Sequence, residues 1–378
     1  MFQGMTETPF GTFYIPGPTE VRPEILAQMT RPMMGHRGKN FEGMFARIEA
    51  GLRDVLLTAR PVYVGTTSAT GFMEMAIRNA PEGDILSLVH GGFSERFAKV
   101  AESCERTVHR VVAPWGATCD LNEVETALVS RQFAAVTVAH SETSTGVISD
   151  VRAVAELAHR YGAVVLVDSV SGVGGAELTV DGWGLDFVLT GSQKALALPS
   201  GLAFAVASAE YVERAKSVRN RGFYFDVVQY DKFAEKNQTP STPATSLLYA
   251  LEAQMGDIGR EGIERRWDRH LAMRDATVEW VSAVAERRNI NLGILAPAEL
   301  RSPTVTVLTL PKGISTKEAR EAISARGFTV GGGYGQLSDT TIRIGHMGDH
   351  TVEGLKRCLQ ACEQAIAELA ERRRLVRA

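Results

Sequence analysis

No uninterrupted apolar run approaches the ~18–20 residues needed to span a bilayer, so no membrane segment is expected in this 378-residue chain. No charged segment with an apolar stretch and small-residue cleavage site opens it, so a cytoplasmic location is expected. Residues 1–4, before Met5, look like the remnant of a cleavage tag and are left out of the reading. Net charge is only −3, which gives no reason to expect nucleic acid or an anionic membrane as partner. Cysteine is scarce: four in all, which fits a reduced compartment and not a disulfide scaffold. Cys358 and Cys362 lie one helical turn apart and read as small buried hydrophobes. No Cys/His cluster has zinc spacing, and none of the eight scattered histidines is placed as a ligand, His90, His140 and His346 included, so no metal is expected. Internal repeats are absent. Gly172-Val173-Gly174-Gly175 lacks the last glycine of a dinucleotide loop, and Gly331-Gly332-Gly333 lacks a phosphate-loop lysine and reads as a flexible loop.

What remains is an ordinary globular composition, 44% apolar and 22% charged, long enough for one large and one small domain. We expect an irregular N-terminal arm over 1–20, a large domain over 21–261 and a small α+β domain over 262–378. Short apolar runs alternate with helical patterns: a strand at 61–64 and a helix at 72–79, then strands at 85–89 and 134–139. A helix at 151–161 and strands at 163–167, 187–189 and 202–207 follow. This spacing predicts an α/β fold with a mixed, mostly parallel sheet between helices, whose ligands sit at the carboxyl ends of strands. The stretch 219–246 reads as a long irregular loop, and helical patterns fill most of 245–288. Strands at 304–310, 328–330 and 341–344 and helices at 316–326 and 351–372 make up the small domain.

Chemistry gathers at the strand ends. One strand runs into Asp168-Ser169 and the next into Gly191-Ser192-Gln193-Lys194. Adjacent parallel strands would bring a carboxylate and an amine to one edge, a pair that suits pyridoxal phosphate. The lysine forms a Schiff base with its aldehyde, and the carboxylate keeps its pyridine nitrogen protonated. Gly65-Thr66-Thr67-Ser68-Ala69-Thr70-Gly71 joins a strand to a helix and offers an anion site with more hydroxyls than a cap needs. Phe93 stands at another strand-to-helix junction, where an aromatic either packs in the core or stacks on a flat cofactor. Thr143 ends a further strand. Arg343 interrupts an apolar strand and either salt-bridges structurally or grips a carboxylate in the cleft. Arg37, in the loop Met34 to Gly38, is either a solvated side chain or an anion contact.

Together these segments resemble the fold-type I pyridoxal-phosphate enzymes, specifically the class V aminotransferases of the alanine–glyoxylate / serine–pyruvate family. The resemblance runs from about Tyr14 over nearly the whole chain. It is carried by Pro16-Gly17-Pro18-Thr19, Ser68-Ala69-Thr70, the segment His140 to Gly146, Val167-Asp168-Ser169, Gly191 to Lys194, Thr239 to Pro243 and Arg343-Ile344-Gly345. It implies that Lys194 bonds the cofactor and then acts as base, and that Asp168 pairs with the ring nitrogen. Ser68, Ala69, Thr70 and Gln193 would hold the phosphate, Phe93 the ring face, and Thr143 the region of the ring hydroxyl. Thr242 and Thr239 would reach the phosphate of a neighbouring subunit, making a homodimer with shared sites. Arg343 would take the substrate's α-carboxylate, with Gly17 lining the pocket. Thr239 stands where alanine–glyoxylate enzymes tend to have tyrosine.

The implied reaction is ping-pong transamination from alanine or serine to glyoxylate or pyruvate. Arg37, Arg219 and Arg221 are extra cations that keep aspartate or phosphoserine open as donors. Two rivals are a desulfurase-type lyase, which needs a cysteine on a mobile loop, and a non-catalytic binding protein that kept the fold.

Overall fold

The computed structural model describes residues 10–377, so the tag-like residues 1–4 lie outside the described residues. Its larger sheet has seven strands in the spatial order Val62–Gly65, Ala203–Ala207, Phe187–Gly191, Val164–Asp168, Ala135–Ala139, Ile85–Val89, Val108–Val112. Only Ala203–Ala207 runs against its neighbours; the other pairings are parallel. The sheet is therefore mixed and mostly parallel, as the spacing predicts.

Its central strands are buried along their whole length. Alternate residues face opposite layers. Val165, Val167 and Val188 pack with Phe41, Phe45 and Leu52 of the Lys39–Leu56 helix and with Leu248 and Leu251 of Thr245–Glu261. Val164, Leu166, Phe187 and Leu189 pack instead with Phe72, Met73 and Phe97 of the helices Ala69–Asn79 and Gly92–Ser103. Cover on both faces explains the near-continuous apolar runs.

The second sheet has the order Phe13–Tyr14, Thr329–Gly332, Thr341–Gly345, Val305–Thr309, Gly293–Ile294. Helices Ile263–Arg288, Thr316–Ser324 and Val352–Arg377 pack on it around Met273, Ile323, Ile342 and Leu359. Its first strand corrects the expected irregular arm. Phe13–Tyr14 pairs in parallel with Thr329–Val330, and Tyr14 is fully buried. Residues 13–14 are thus tied to the small sheet more than 300 positions on.

Other elements depart from the sequence reading for physical reasons. Val108–Val112 is a strand although its pattern, Val-His-Arg-Val-Val, has no apolar run; it is the half-exposed edge. The stretch 219–246 contains a helix, Val227–Ala234, capped by the Asp226 carboxylate. Gly331 and Gly332 are ladder residues opposite Arg343 and Ile342, not a flexible loop.

Candidate active site

Because six of the seven large-sheet strands share a direction, their carboxyl ends open on one edge. A cavity of about 410 Å³ lies there, lined by Gly17, Ser68, Ala69, Thr70, Phe93, Arg96, Thr143, Asp168, Gln193 and Lys194 among others. A larger surface cavity of about 690 Å³, lined by Arg78, Arg106 and Arg219, gathers none of these strand-end residues.

Strands Val164–Asp168 and Phe187–Gly191 are adjacent and parallel, with Asp168 opposite Leu189. That register carries the carboxylate and the lysine to the same mouth. Asp168 is 4% exposed, and its Oδ1 accepts from the Val170 N–H at 2.9 Å. Burial pushes its pKa up to about 7, with Lys194 and Arg96 acting in the opposite sense. Burial also lowers Lys194 to about 8, and the nearby Arg343 charge adds to the fall. The Lys194 Nζ donates to the Pro16 carbonyl. The arm is held over the site by the Thr19 N–H, which donates to the Gln193 carbonyl at 2.8 Å. Gly17 has φ +109°, and a Cβ there would collide with the Lys194 side chain.

Ser68 is the N-cap of the Ala69–Asn79 helix, yet its hydroxyl makes no capping bond. The helix terminus therefore offers backbone N–H groups together with uncommitted hydroxyls. Behind the site, buried His140 is held neutral, near 4, by desolvation, and its Nδ1 lies 2.9 Å from the Ser169 hydroxyl.

Phe93 is fixed by a residue the sequence reading left unassigned. The fully buried Glu142 carboxylate accepts from the Phe93 and Ser94 N–H groups at 3.1 and 2.9 Å, and from the Ser144 hydroxyl at 2.6 Å. It caps the Gly92–Ser103 helix from another segment, because Gly91 has no side chain to do so. Arg96 was missed as well. It lies one helical turn past Phe93, a spacing that puts both on one face, and its guanidinium sits 4.9 Å from the Phe93 ring centre.

Arg343 donates through Nε to the Gly332 carbonyl at 2.6 Å and through Nη1 to the Thr143 carbonyl at 3.3 Å. It makes no ion pair among the described residues. Of the five guanidinium donors, three remain free for a carboxylate.

Three predicted site residues stand elsewhere within the chain. Arg37 donates to the carbonyls of Thr239 and Pro240 at 2.7 and 3.2 Å, so it braces that loop and does not line the Lys194 cavity. Thr239 is buried, its hydroxyl given to the Ser241 carbonyl, while Thr242 is exposed. The extra cations also stand outside this chain's Lys194 cavity: Arg219 lines the larger surface cavity, and Arg221 binds Asp226 and the Val218 carbonyl. Cys358 and Cys362 are buried in the Val352–Arg377 helix, far from the exposed loop a sulfur-transferring nucleophile needs.

The family model "Aminotransferase class-V" matches residues 23–336. The chain is 36% identical over 361 residues to an uncharacterized aminotransferase of Methanocaldococcus jannaschii, covering 94% of this chain and 92% of that one. It is 30% identical over 365 residues to the L-aspartate–glyoxylate aminotransferase of Paracoccus denitrificans, covering 94% and 91%. The solved alanine–glyoxylate aminotransferase of Nostoc sp. superposes with a TM-score of 0.89 at 28% identity, covering 97% of both chains.

Proposed function

The chain belongs to the class V aminotransferases, which work with pyridoxal phosphate, and from that premise we propose that it moves the amino group of a small L-amino acid, alanine or serine, to glyoxylate or pyruvate. The observation that carries the transamination is the shared cavity of Lys194 and Asp168 at the ends of two adjacent parallel strands, and the choice of substrates follows the similarity to glyoxylate aminotransferases.

The residues present fit the cofactor. Asp168 is a buried carboxylate that accepts a hydrogen bond from the Val170 backbone N–H, so a protonated ring nitrogen supplies the cation it lacks. Ser68, Ala69, Thr70 and Gln193 surround a helix N-terminus suited to phosphate. Phe93 provides a ring face, and Thr143 a hydroxyl beside it. When bound, the cofactor supplies an electrophilic carbon and an electron-withdrawing ring that stabilises charge at the substrate's α-carbon.

The chain's own residues do the rest. Lys194 is the base that takes and returns the α-proton at Nζ; a pKa near 8 leaves part of it unprotonated at neutral pH. Asp168 holds the ring proton. Arg343 takes the α-carboxylate with its three uncommitted N–H groups. Pro16 and Gly17 close the arm over the lysine and keep water off the reacting atoms.

The exposed Thr242, on a loop braced by Arg37 outside its own chain's cavity, supports a homodimer in which Thr239 and Thr242 serve the partner's phosphate. Four unpaired cysteines support a reducing, cytoplasmic setting. We also take 21–261 and 262–378 as the two domains; Gly262, at φ +84°, joins the helices that flank this boundary. A second reading has aspartate as donor. It is favoured by Arg96, a cavity cation with no ion pair among the described residues.

The test is a donor panel of alanine, serine, aspartate and phosphoserine against glyoxylate, pyruvate and 2-oxoglutarate. Parallel double-reciprocal plots with alanine or serine support the first reading, and a preference for aspartate supports the second. No transfer to glyoxylate or pyruvate from any donor would sink both.

A further inference from the structure

Tyr334 follows Gly331-Gly332-Gly333 on the connection between strands Thr329–Gly332 and Thr341–Gly345. It lies outside the small sheet's strands and touches the Gly92–Ser103 helix that covers the large sheet. Its ring lies 5.5 Å from that of Phe93, tilted by 32°. Its hydroxyl accepts from the Arg96 Nη2 at 3.3 Å. The Arg343 guanidinium carbon is 5.7 Å from its ring centre. One tyrosine therefore meets the cofactor-facing aromatic, the cavity's second guanidinium and the proposed carboxylate grip.

The approach is close enough to need glycines on both sides. A Cβ on Gly92 would collide with the Tyr334 ring, one on Gly333 with the Leu337 carbonyl, and one on Gly335 with the Trp115 ring at 2.7 Å. Arg343 itself ties the small sheet to the turn after Ser141–Glu142, with Nε on Gly332 and Nη1 on Thr143. Its position thus depends on how the Gly332–Gly335 connection seats against the Gly92–Ser103 helix. The link that fixes this seat is the Arg96–Tyr334 hydrogen bond, and Arg96 has no carboxylate partner among the described residues to draw it away.

We propose that Tyr334 is a positioning residue for the substrate's α-carboxylate, seating Arg343 through its ring and locking that seat through its hydroxyl to Arg96. The proposal rests on the aminotransferase reading above. Its role is in binding, so it differs from those of Lys194 and Asp168.

Tyr334→Phe keeps the ring and removes the lock. KM for amino donor and for oxo acid is expected to rise about tenfold each, the effect of one lost hydrogen bond to a charged donor. The turnover number should change less than twofold, and cofactor affinity, read by absorbance titration, should hold. Arg96→Lys should raise KM similarly, and the double variant should add nothing further, since both changes break one link. The Kd of a non-reacting 2-methyl amino acid, read from the cofactor's absorbance, should rise in step and reports carboxylate binding without turnover. An unchanged KM and Kd in Tyr334→Phe, additive effects in the double variant, or a loss confined to turnover or cofactor affinity would overturn the proposal. If the unaltered protein transfers no amino group, the aminotransferase reading fails, and the 2-methyl amino acid titration still decides the role of Tyr334.

Discussion

Replacing Asp168 by Asn should stabilise the cofactor-free protein at pH 8 while destroying its activity. The carboxyl is 4% exposed and is raised from 3.8 to about 7, chiefly by burial. In the unfolded chain it ionises near 4. Between those values the folded state binds more protons, so stability falls as pH rises through about 4 to 7 and stays lowered above. Three pKa units at ~1.4 kcal/mol each give an upper bound on the order of 4 kcal/mol. That shift already includes the attraction from Lys194, and relaxation around the buried charge brings the cost to roughly 2–4 kcal/mol. Asparagine cannot ionise, and its carbonyl still accepts from the Val170 N–H. Without its partner, Lys194 sheds its proton more easily, so no stranded charge cancels the gain. The assay is the urea midpoint of cofactor-free protein. The variant should unfold at higher urea than wild type at pH 8, with the gap shrinking to less than half at pH 5. Added pyridoxal phosphate should then stabilise wild type more than the variant. Equal midpoints at pH 8, or a gap independent of pH, would refute the reasoning.

Three further changes probe separate parts of the site. Arg343→Lys loses the planar fork and should raise KM for both substrates about tenfold or more, measured in steady state. Gly17→Ala puts a methyl into Lys194 at a left-handed φ and should cut turnover at least about tenfold, with an unchanged far-ultraviolet circular dichroism spectrum. Glu142→Gln turns an acceptor into a donor beside the Ser94 and Ser144 N–H groups. It should cost about 1–3 kcal/mol in urea unfolding and weaken cofactor binding in an absorbance titration.

Much of the large sheet and its catalytic edge was legible because burial on both faces writes continuous apolar runs, each ending in a polar residue. Val164–Asp168 and Phe187–Gly191 are such runs, and their adjacency brings Asp168 and Lys194 to one cavity. The edge strand Val108–Val112 was not legible, since a half-exposed strand with His109 and Arg110 carries no such run. Nor was the pairing of Phe13–Tyr14 with Thr329–Val330, because two residues leave no periodic signal. Side chains that act through others were the hardest. Glu142 sits inside the segment His140 to Gly146, but nothing in its neighbours shows that it caps a helix about fifty positions away. Arg96 left a trace, three residues after Phe93 on a helix. Tyr334, behind three glycines, left none. Nothing around Arg37 in the sequence signals the Thr239 and Pro240 carbonyls it binds.

The central claim is that Lys194 bonds the cofactor, and reductive trapping tests it most directly. The protein loaded with pyridoxal phosphate is reduced with borohydride, digested and mapped by mass spectrometry. The account predicts one modified peptide, carrying the phosphopyridoxyl group on Lys194, and none in Lys194→Ala. A label on another lysine, or no label after loading, would contradict it.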